Sequence, residues 1–367
     1  MINSILDIPE ILIQKGLPFA IYLLPKPDNF TLVFQKDSQI HNIDILDIEN
    51  NSGFVIARFD SAKTGLATII KPDFIINSDD ELGAVIEFLN QIPDVGAYHF
   101  IDNTSISKEE YIDRVSYLIE KLEGNELQKV VFSRVVKREI SKDLHIANLL
   151  SLLREKYKNA FINMFHIPGE GTWCGASPET LFKITNNTIH TDALAGTKLA
   201  SENNGNPVWT NKEKEEQYYV TLFIESLLSE LGIHCYTKTG PITINAGSIA
   251  HLRTNFSIPI SELKSKEGKL IAGLHPTPAV CGLPKAEAYI LIQKAERHQR
   301  RYYTGFLGPW KLAGSTQLFV NLRCAELSKK FVNIYVGGGL TASSNPNDEY
   351  METVHKSKTL LSVIENL

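Results

Sequence analysis

Lys129 and Glu179 are a base and an acid of the kind that could move a hydroxyl group on a small anionic molecule. Lys129 lies in the β-type run Lys129-Val130-Val131-Phe132-Ser133-Arg134, and Glu179 closes the turn Gly175-Ala176-Ser177-Pro178-Glu179. Strand alternation puts Lys129, Val131, Ser133 and Val135 on one face and Val130, Phe132, Arg134 and Val136 on the other. Both faces are largely apolar, so the strand reads as central and its lysine as partly buried. Burial favours the neutral amine, which can serve as a general base. A carboxylic acid at Glu179 can protonate a leaving hydroxyl. The plainer alternatives are a strand-edge lysine with its ammonium in water and a carboxylate that caps backbone N–H groups in a turn.

Two further carboxylates fall on expected helices. Glu216 shares a helix face with Val220, Phe223 and Leu227, so a carboxylate opens an apolar stripe. A metal ion is one partner for it, and complementing the helix dipole is the other reading. Glu352 and Lys356 lie four apart on the last helix, either as a solvated ion pair or as part of a site. They follow Gly337-Gly338-Gly339, read as a corner that breaks a strand and lets backbone approach a ligand. Arg323, expected inside a strand beside Asn321 and Phe319, either forks onto a carboxylate or faces solvent. Tyr303 offers a hydroxyl donor or is a half-buried core tyrosine. His251 and His275 match no zinc spacing and read as structural or pocket-lining groups.

The elements that must hold these groups are mixed. Residues 1–104 alternate short apolar runs (19–24, 30–34, 54–59 and 67–70) with turn clusters, as strands of an antiparallel sheet do. Ser107 and Glu110 have capping-box spacing, and Ile112, Val115, Leu118, Ile119 and Leu122 then recur at helical intervals up to Gly124. The patterns predict helices over 144–157, 212–231, from Pro284, and over 347–366. Strands are expected over 161–167, 188–193, 317–327 and 331–336, the last two joined at Ser328-Lys329-Lys330. Adjacent strands are often too close for crossover helices, which favours α+β with antiparallel sheets.

A net charge of −5 argues against a general nucleic-acid or membrane-surface binder, while leaving room for a local cationic pocket. Cys174, Cys235, Cys281 and Cys324 form no CxxC pair and read as reduced, not as a zinc or disulfide framework. Residues 1–15 lack the pattern of a signal peptide, and no apolar run approaches the roughly 20 residues of a membrane span. A cytoplasmic protein is expected.

In order along residues 105–367, eight segments resemble the chorismate-binding enzymes, a family that includes isochorismate, salicylate, anthranilate and aminodeoxychorismate synthases. They are KVVFSR at 129–134, GASPE at 175–179, LAGT at 194–197, KEKEEQ at 212–217, HPTPAVCGLPK at 275–285, YYTG at 302–305, LRCAEL at 322–327 and GGGLTASSNPNDEYMETVHK at 337–356. Residues 1–104 match only loosely, and the whole chain 1–367 is expected to form a single catalytic domain. The resemblance implies an α+β fold of two stacked, mainly antiparallel sheets flanked by helices.

Within the family the chain is most similar to the branch that converts chorismate to isochorismate. Ammonia-using members usually carry Gln where Lys129 stands, so lysine implies activation of water. Lyase-competent members typically have a Thr-containing version of the loop Pro278-Ala279-Val280. The resemblance further implies that Lys129 deprotonates water for attack at ring carbon 2 and that Glu179 protonates the hydroxyl leaving carbon 4. Glu216 and Glu352 would bind Mg²⁺. Gly196 and Lys356 would meet the ring carboxylate, Arg323, Tyr303 and Gly337 the enolpyruvyl carboxylate, and Ala279 and Val280 the ring. Chorismate is the implied substrate, in menaquinone or siderophore biosynthesis. A monomer without a glutaminase subunit is expected, and without nucleic-acid or membrane partners. A salicylate synthase and a non-catalytic chorismate-binding protein are the alternatives. The chain departs from its relatives after Gly196, where Thr197-Lys198-Leu199-Ala200 lacks a common arginine, and in a short loop before Glu216.

Overall fold

The computed structural model describes residues 4–25, 29–95, 99–124, 127–140, 144–200, 207–246 and 249–366. Two nine-stranded sheets dominate it, and all their neighbouring strands are antiparallel. The first sheet runs Gly282–Leu283, Lys129–Glu139, Phe331–Leu340, Cys324–Leu327, Gly171–Ser177, Phe161–Ile167, Phe19–Leu23, Thr31–Phe34, Phe74–Ile76. The second runs Thr237–Ala246, Ile249–Pro259, Thr188–Leu199, Thr180–Thr185, Gln317–Val320, Phe306–Trp310, Gly53–Ala57, Leu66–Ile70, His41–Asp44. The α+β arrangement expected from strand spacing is the one observed. The segment with the loosest resemblance supplies the last three strands of each sheet.

Alternation gives each strand one face for the space between the sheets and one for the helices. The inner layer is rich in aromatics: Phe161 of the first sheet stacks on Phe319 of the second at 4.2 Å, and Tyr22 meets Phe54 at 5.2 Å. Such pairs add to the burial of each ring, which is worth about 1.5–3 kcal/mol. Helices Ile8–Lys15, Leu82–Asn90, Ile146–Lys156 and Pro346–Ile364 cover the outer face of the first sheet. Asn211–Glu230 and Glu267–Leu274 cover that of the second. Ser107 does cap the helix Lys108–Glu123 by accepting from the Glu110 N–H, but Glu110 turns to Arg114 and Arg297 rather than completing a box. Pro284 is the N-cap of Lys285–Ala295, not its first residue.

Three further expectations are corrected, and these three concern the site. Residues 317–327 are not one strand. Gln317–Val320 belongs to the second sheet and Cys324–Leu327 to the first, and Asn321-Leu322-Arg323 crosses between them. Arg323 makes the crossing in the left-handed backbone region, at φ 49°. Pro178-Glu179 is likewise a crossing, from Gly171–Ser177 in the first sheet to Thr180–Thr185 in the second. The glycine triplet does not break its strand: Phe331–Leu340 pairs with Lys129–Glu139 through Gly337, Gly338 and Gly339 to Leu340.

Candidate active site

The two crossings lie side by side. The Val320 N–H donates to the Glu179 carbonyl at 3.0 Å and the Ala176 N–H to the Arg323 carbonyl at 3.2 Å. Each chain leaves a sheet at this point, so each sends a side chain into the gap between sheets that a regular strand would have closed. The gap is a cleft enclosing about 780 Å³ of empty space, part of it open to solvent. Nine of the eleven residues singled out in the sequence line it: Glu179, Gly196, Glu216, Ala279, Val280, Tyr303, Arg323, Gly337 and Lys356. The other two adjoin it through ion pairs. Lys129 Nζ is 2.8 Å from Glu216 Oε1, and Glu352 Oε1 is 2.7 Å from Lys356 Nζ.

Lys129 is fully buried, more deeply than the partial burial expected of it, and burial does not leave its amine alone but places it on a carboxylate. Burial pushes the Glu216 carboxyl up, yet the charges of Lys129 and Lys212 outweigh it and hold Glu216 below its ordinary value. Glu179 behaves oppositely. Burial and then the Asp192 carboxylate push it up to about 8, against the pull of Lys129 and Lys356, so it carries a proton at neutral pH. Its Oε1 is buried without a hydrogen-bond partner among the described residues. One partly buried carboxyl is therefore kept ionised and one buried carboxyl kept protonated within one cleft, a separation of roles that suits acid–base chemistry.

His251, a pocket-lining group as its sequence context suggests, links two of these positions. Burial and the Arg323 charge lower its pKa to about 3, so the ring is neutral. Its Nδ1 donates to the Gly196 carbonyl at 2.8 Å, and its Nε2 accepts from Arg323 at 2.9 Å. Gly196 sits at φ 76° in a break of the strand register between Ala195 and Lys198. Any Cβ there would press on Glu213 at 3.1 Å. Lys356 also donates to the Gly337 carbonyl at 2.9 Å.

The glycine triplet is explained by what lies over it. A Cβ on Gly337 would lie 2.9 Å from the Tyr303 hydroxyl, and one on Gly338 3.1 Å from Glu349 Oε2. One on Gly339 would collide with Glu216 Oε1 and come within 2.8 Å of Lys129 Cε. We expect Gly339→Ala to fold, since its backbone is ordinary strand. Displacing the Lys129–Glu216 pair by even part of an ångström should lower turnover by about 10- to 100-fold. Steady-state kinetics beside circular dichroism would check this.

Glu349 is the site residue the sequence reading missed. It lies three residues before Glu352, on the same helix face. It is buried, pairs with Lys212 at 2.5 Å, and leaves Oε2 without a partner among the described residues. Burial and then Glu352 push it up to about 7. Glu216, Glu349 and Glu352 thus face the triplet, each held by a lysine: Lys129, Lys212 and Lys356. Among the described residues no three donors are close enough to enclose a metal by themselves. The orphaned Glu349 oxygen and the all-oxygen set of Glu216, Glu349 and Glu352 are donors of the kind a hard cation such as Mg²⁺ takes.

Comparison with known proteins gives the same direction. The family model for chorismate binding enzymes matches residues 50–365. The vibriobactin-specific isochorismate synthase of Vibrio cholerae is 29% identical over 266 residues, 71% of this chain and 67% of that protein. An isochorismate synthase of Escherichia coli K12 is 29% identical over 249 residues, 65% of this chain and 62% of its own length. A Bacillus anthracis structure described as a 2,3-dihydroxybenzoate-specific isochorismate synthase superposes with TM-score 0.78. It covers 97% of this chain and 99% of that one at 23% identity, a likeness of fold.

Proposed function

The chain belongs to the chorismate-binding enzyme family, and we propose that within it the chain is an isochorismate synthase. The observation that carries this reading is a buried, protonated Glu179 lining a cleft that Lys129 adjoins through its ion pair with Glu216. The names of the relatives support it.

Chorismate is a dianion, so a net-acidic protein must hold it with local positive charge. Arg323, with Tyr303 and the Gly337 backbone, would take the enolpyruvyl carboxylate, and Lys356 and Gly196 the ring carboxylate. Glu216 and Glu352, with Glu349 beside them, would hold Mg²⁺, which supplies charge neutralisation and orientation for the ring carboxylate when bound. Lys129 acts from its neutral form: having released the proton of its ammonium, the amine takes a proton from water as the water oxygen bonds to ring carbon 2. The ring double bonds shift, and the carbon 4 hydroxyl leaves with the proton of Glu179. One water enters and one leaves, so the product is an isomer. Val280, Ala279 and Val131 form the apolar wall against the ring. Either menaquinone or siderophore biosynthesis would consume the product.

Turnover in ¹⁸O-labelled water tests the route. Incorporation of one labelled oxygen into the product is expected, and unlabelled isochorismate would contradict attack by solvent. The metal assignment predicts that Glu352→Gln weakens Mg²⁺ binding by at least about 10-fold, read by calorimetric titration without substrate. Unchanged affinity would remove Glu352 from the site.

A further inference from the structure

The strand that carries Lys129 has an edge that no complete strand covers. On one side it pairs with Phe331–Leu340 from Val130 to Glu139. On the other, among the described residues, it meets only the two-residue strand Gly282–Leu283. The Gln128 N–H donates to the Leu283 carbonyl at 2.9 Å, and the Val131 N–H to the Cys281 carbonyl at 2.7 Å. There the backbone partner turns away. The next groups on this edge are the Val131 carbonyl and the Ser133 N–H, and both would be orphaned inside the protein.

Two side chains take them. Arg300 Nη2 donates to the Val131 carbonyl at 2.8 Å, and the Ser133 N–H donates to Glu296 Oε1 at 2.8 Å. Arg300 Nη1 also donates to the Val280 carbonyl at 2.6 Å. The pair is closed by Arg300 Nη2 to Glu296 Oε1, at 2.6 Å, and both side chains are only 2% exposed. Neither lines the cleft, but Val131 and Val280 do.

We infer that Glu296 and Arg300 are positioning residues for the reaction, an ion pair standing in for the missing strand neighbour and fixing the Lys129 strand against the Val280 wall. The inference rests on the proposed function. The Val131 and Val280 carbonyls are both acceptors, so no backbone contact can join them; a group with two donors in a fixed fork can. Arginine meets that need and lysine, a single point of charge, does not. Lys129 is two residues from Val131, so slack at this junction moves the base and the ring wall relative to one another.

The test compares Glu296→Gln, Arg300→Lys and Ser133→Ala with the wild type in the full chain. Glutamine keeps the acceptor for Ser133 but turns an N–H₂ toward the guanidinium. Ser133→Ala removes one hydroxyl bond to Glu296, made at 2.7 Å, and serves if the buried-charge variants fail to fold. We expect kcat about 10- to 100-fold lower in Glu296→Gln and Arg300→Lys, and about threefold lower in Ser133→Ala, with KM within about threefold throughout. Arg300→Lys should give no rescue although it keeps the charge. Wild-type kcat in folded Glu296→Gln, in folded Arg300→Lys or in Ser133→Ala would overturn the inference. So would a loss carried by KM alone. Wild-type turnover of chorismate, measured first, tests the proposed function separately, because the variants are read only as ratios to it.

Discussion

Glu179→Gln should lower turnover by about 10²- to 10⁴-fold while leaving Mg²⁺-dependent chorismate binding within about threefold, because an amide keeps the shape but has no proton to give at this acidity. The wild-type rate should carry the same signature. Glu179 is protonated below its pKa of about 8, so activity dependent on the acid declines as pH rises through about 8. Stability follows with a definite sign. The folded carboxyl titrates near 8 and the unfolded one near 4.5, so between these values the native state holds a proton that the unfolded chain has released. Stability therefore falls as pH rises across that window, by up to about 1.4 kcal/mol per pH unit from this group. Glu179→Gln should lack that component. Denaturant unfolding at pH 5 to 9 would check it, and parallel wild-type and mutant curves would contradict the assignment.

Lys129→Ala is the second large effect. Loss of the base should cost about 10²- to 10⁴-fold in turnover. It also strips the partly buried Glu216 carboxylate, 13% exposed, of its 2.8 Å partner. Breaking such a pair from one side destabilises, by less than the about 3–5 kcal/mol of a fully buried pair. A divalent ion at Glu216 would replace the lost charge. The melting temperature of Lys129→Ala should therefore fall in EDTA and recover in part with Mg²⁺, while activity stays lost. Near-normal turnover would sink the acid–base assignment. A melting temperature indifferent to Mg²⁺ would separate Glu216 from the metal.

The parts of the site built from local pattern were legible in the sequence. The apolar faces around Lys129 mark a buried strand, although it lies next to the sheet edge and not at the centre as expected, and Glu216 at the head of an apolar stripe marks an inward carboxylate on the helix Asn211–Glu230. Glu352 and Lys356 meet at helical spacing as expected. What depends on contacts between distant segments was not legible. Residues 317–327 alternate as one strand would, and only the second sheet shows that the chain changes layers at Asn321-Leu322-Arg323. The glycine triplet carries the composition of a corner. It stays in register because the lack of side chains makes room for Glu216, Glu349 and Tyr303, which arrive from three other segments. Glu349 was one helical turn from a residue already singled out, but its burial depends on Lys212, 137 residues away. In residues 1–104 the pattern shows strands but not which sheet each joins, since alternation carries no partner information.

The central claim is most directly tested by the products. Purified protein would be incubated with chorismate, in Mg²⁺ and in EDTA, and analysed by chromatography and mass spectrometry. The expected result is a Mg²⁺-dependent isomer of unchanged mass with no pyruvate. Salicylate with pyruvate, or chorismate left unchanged in the presence of Mg²⁺, would contradict it.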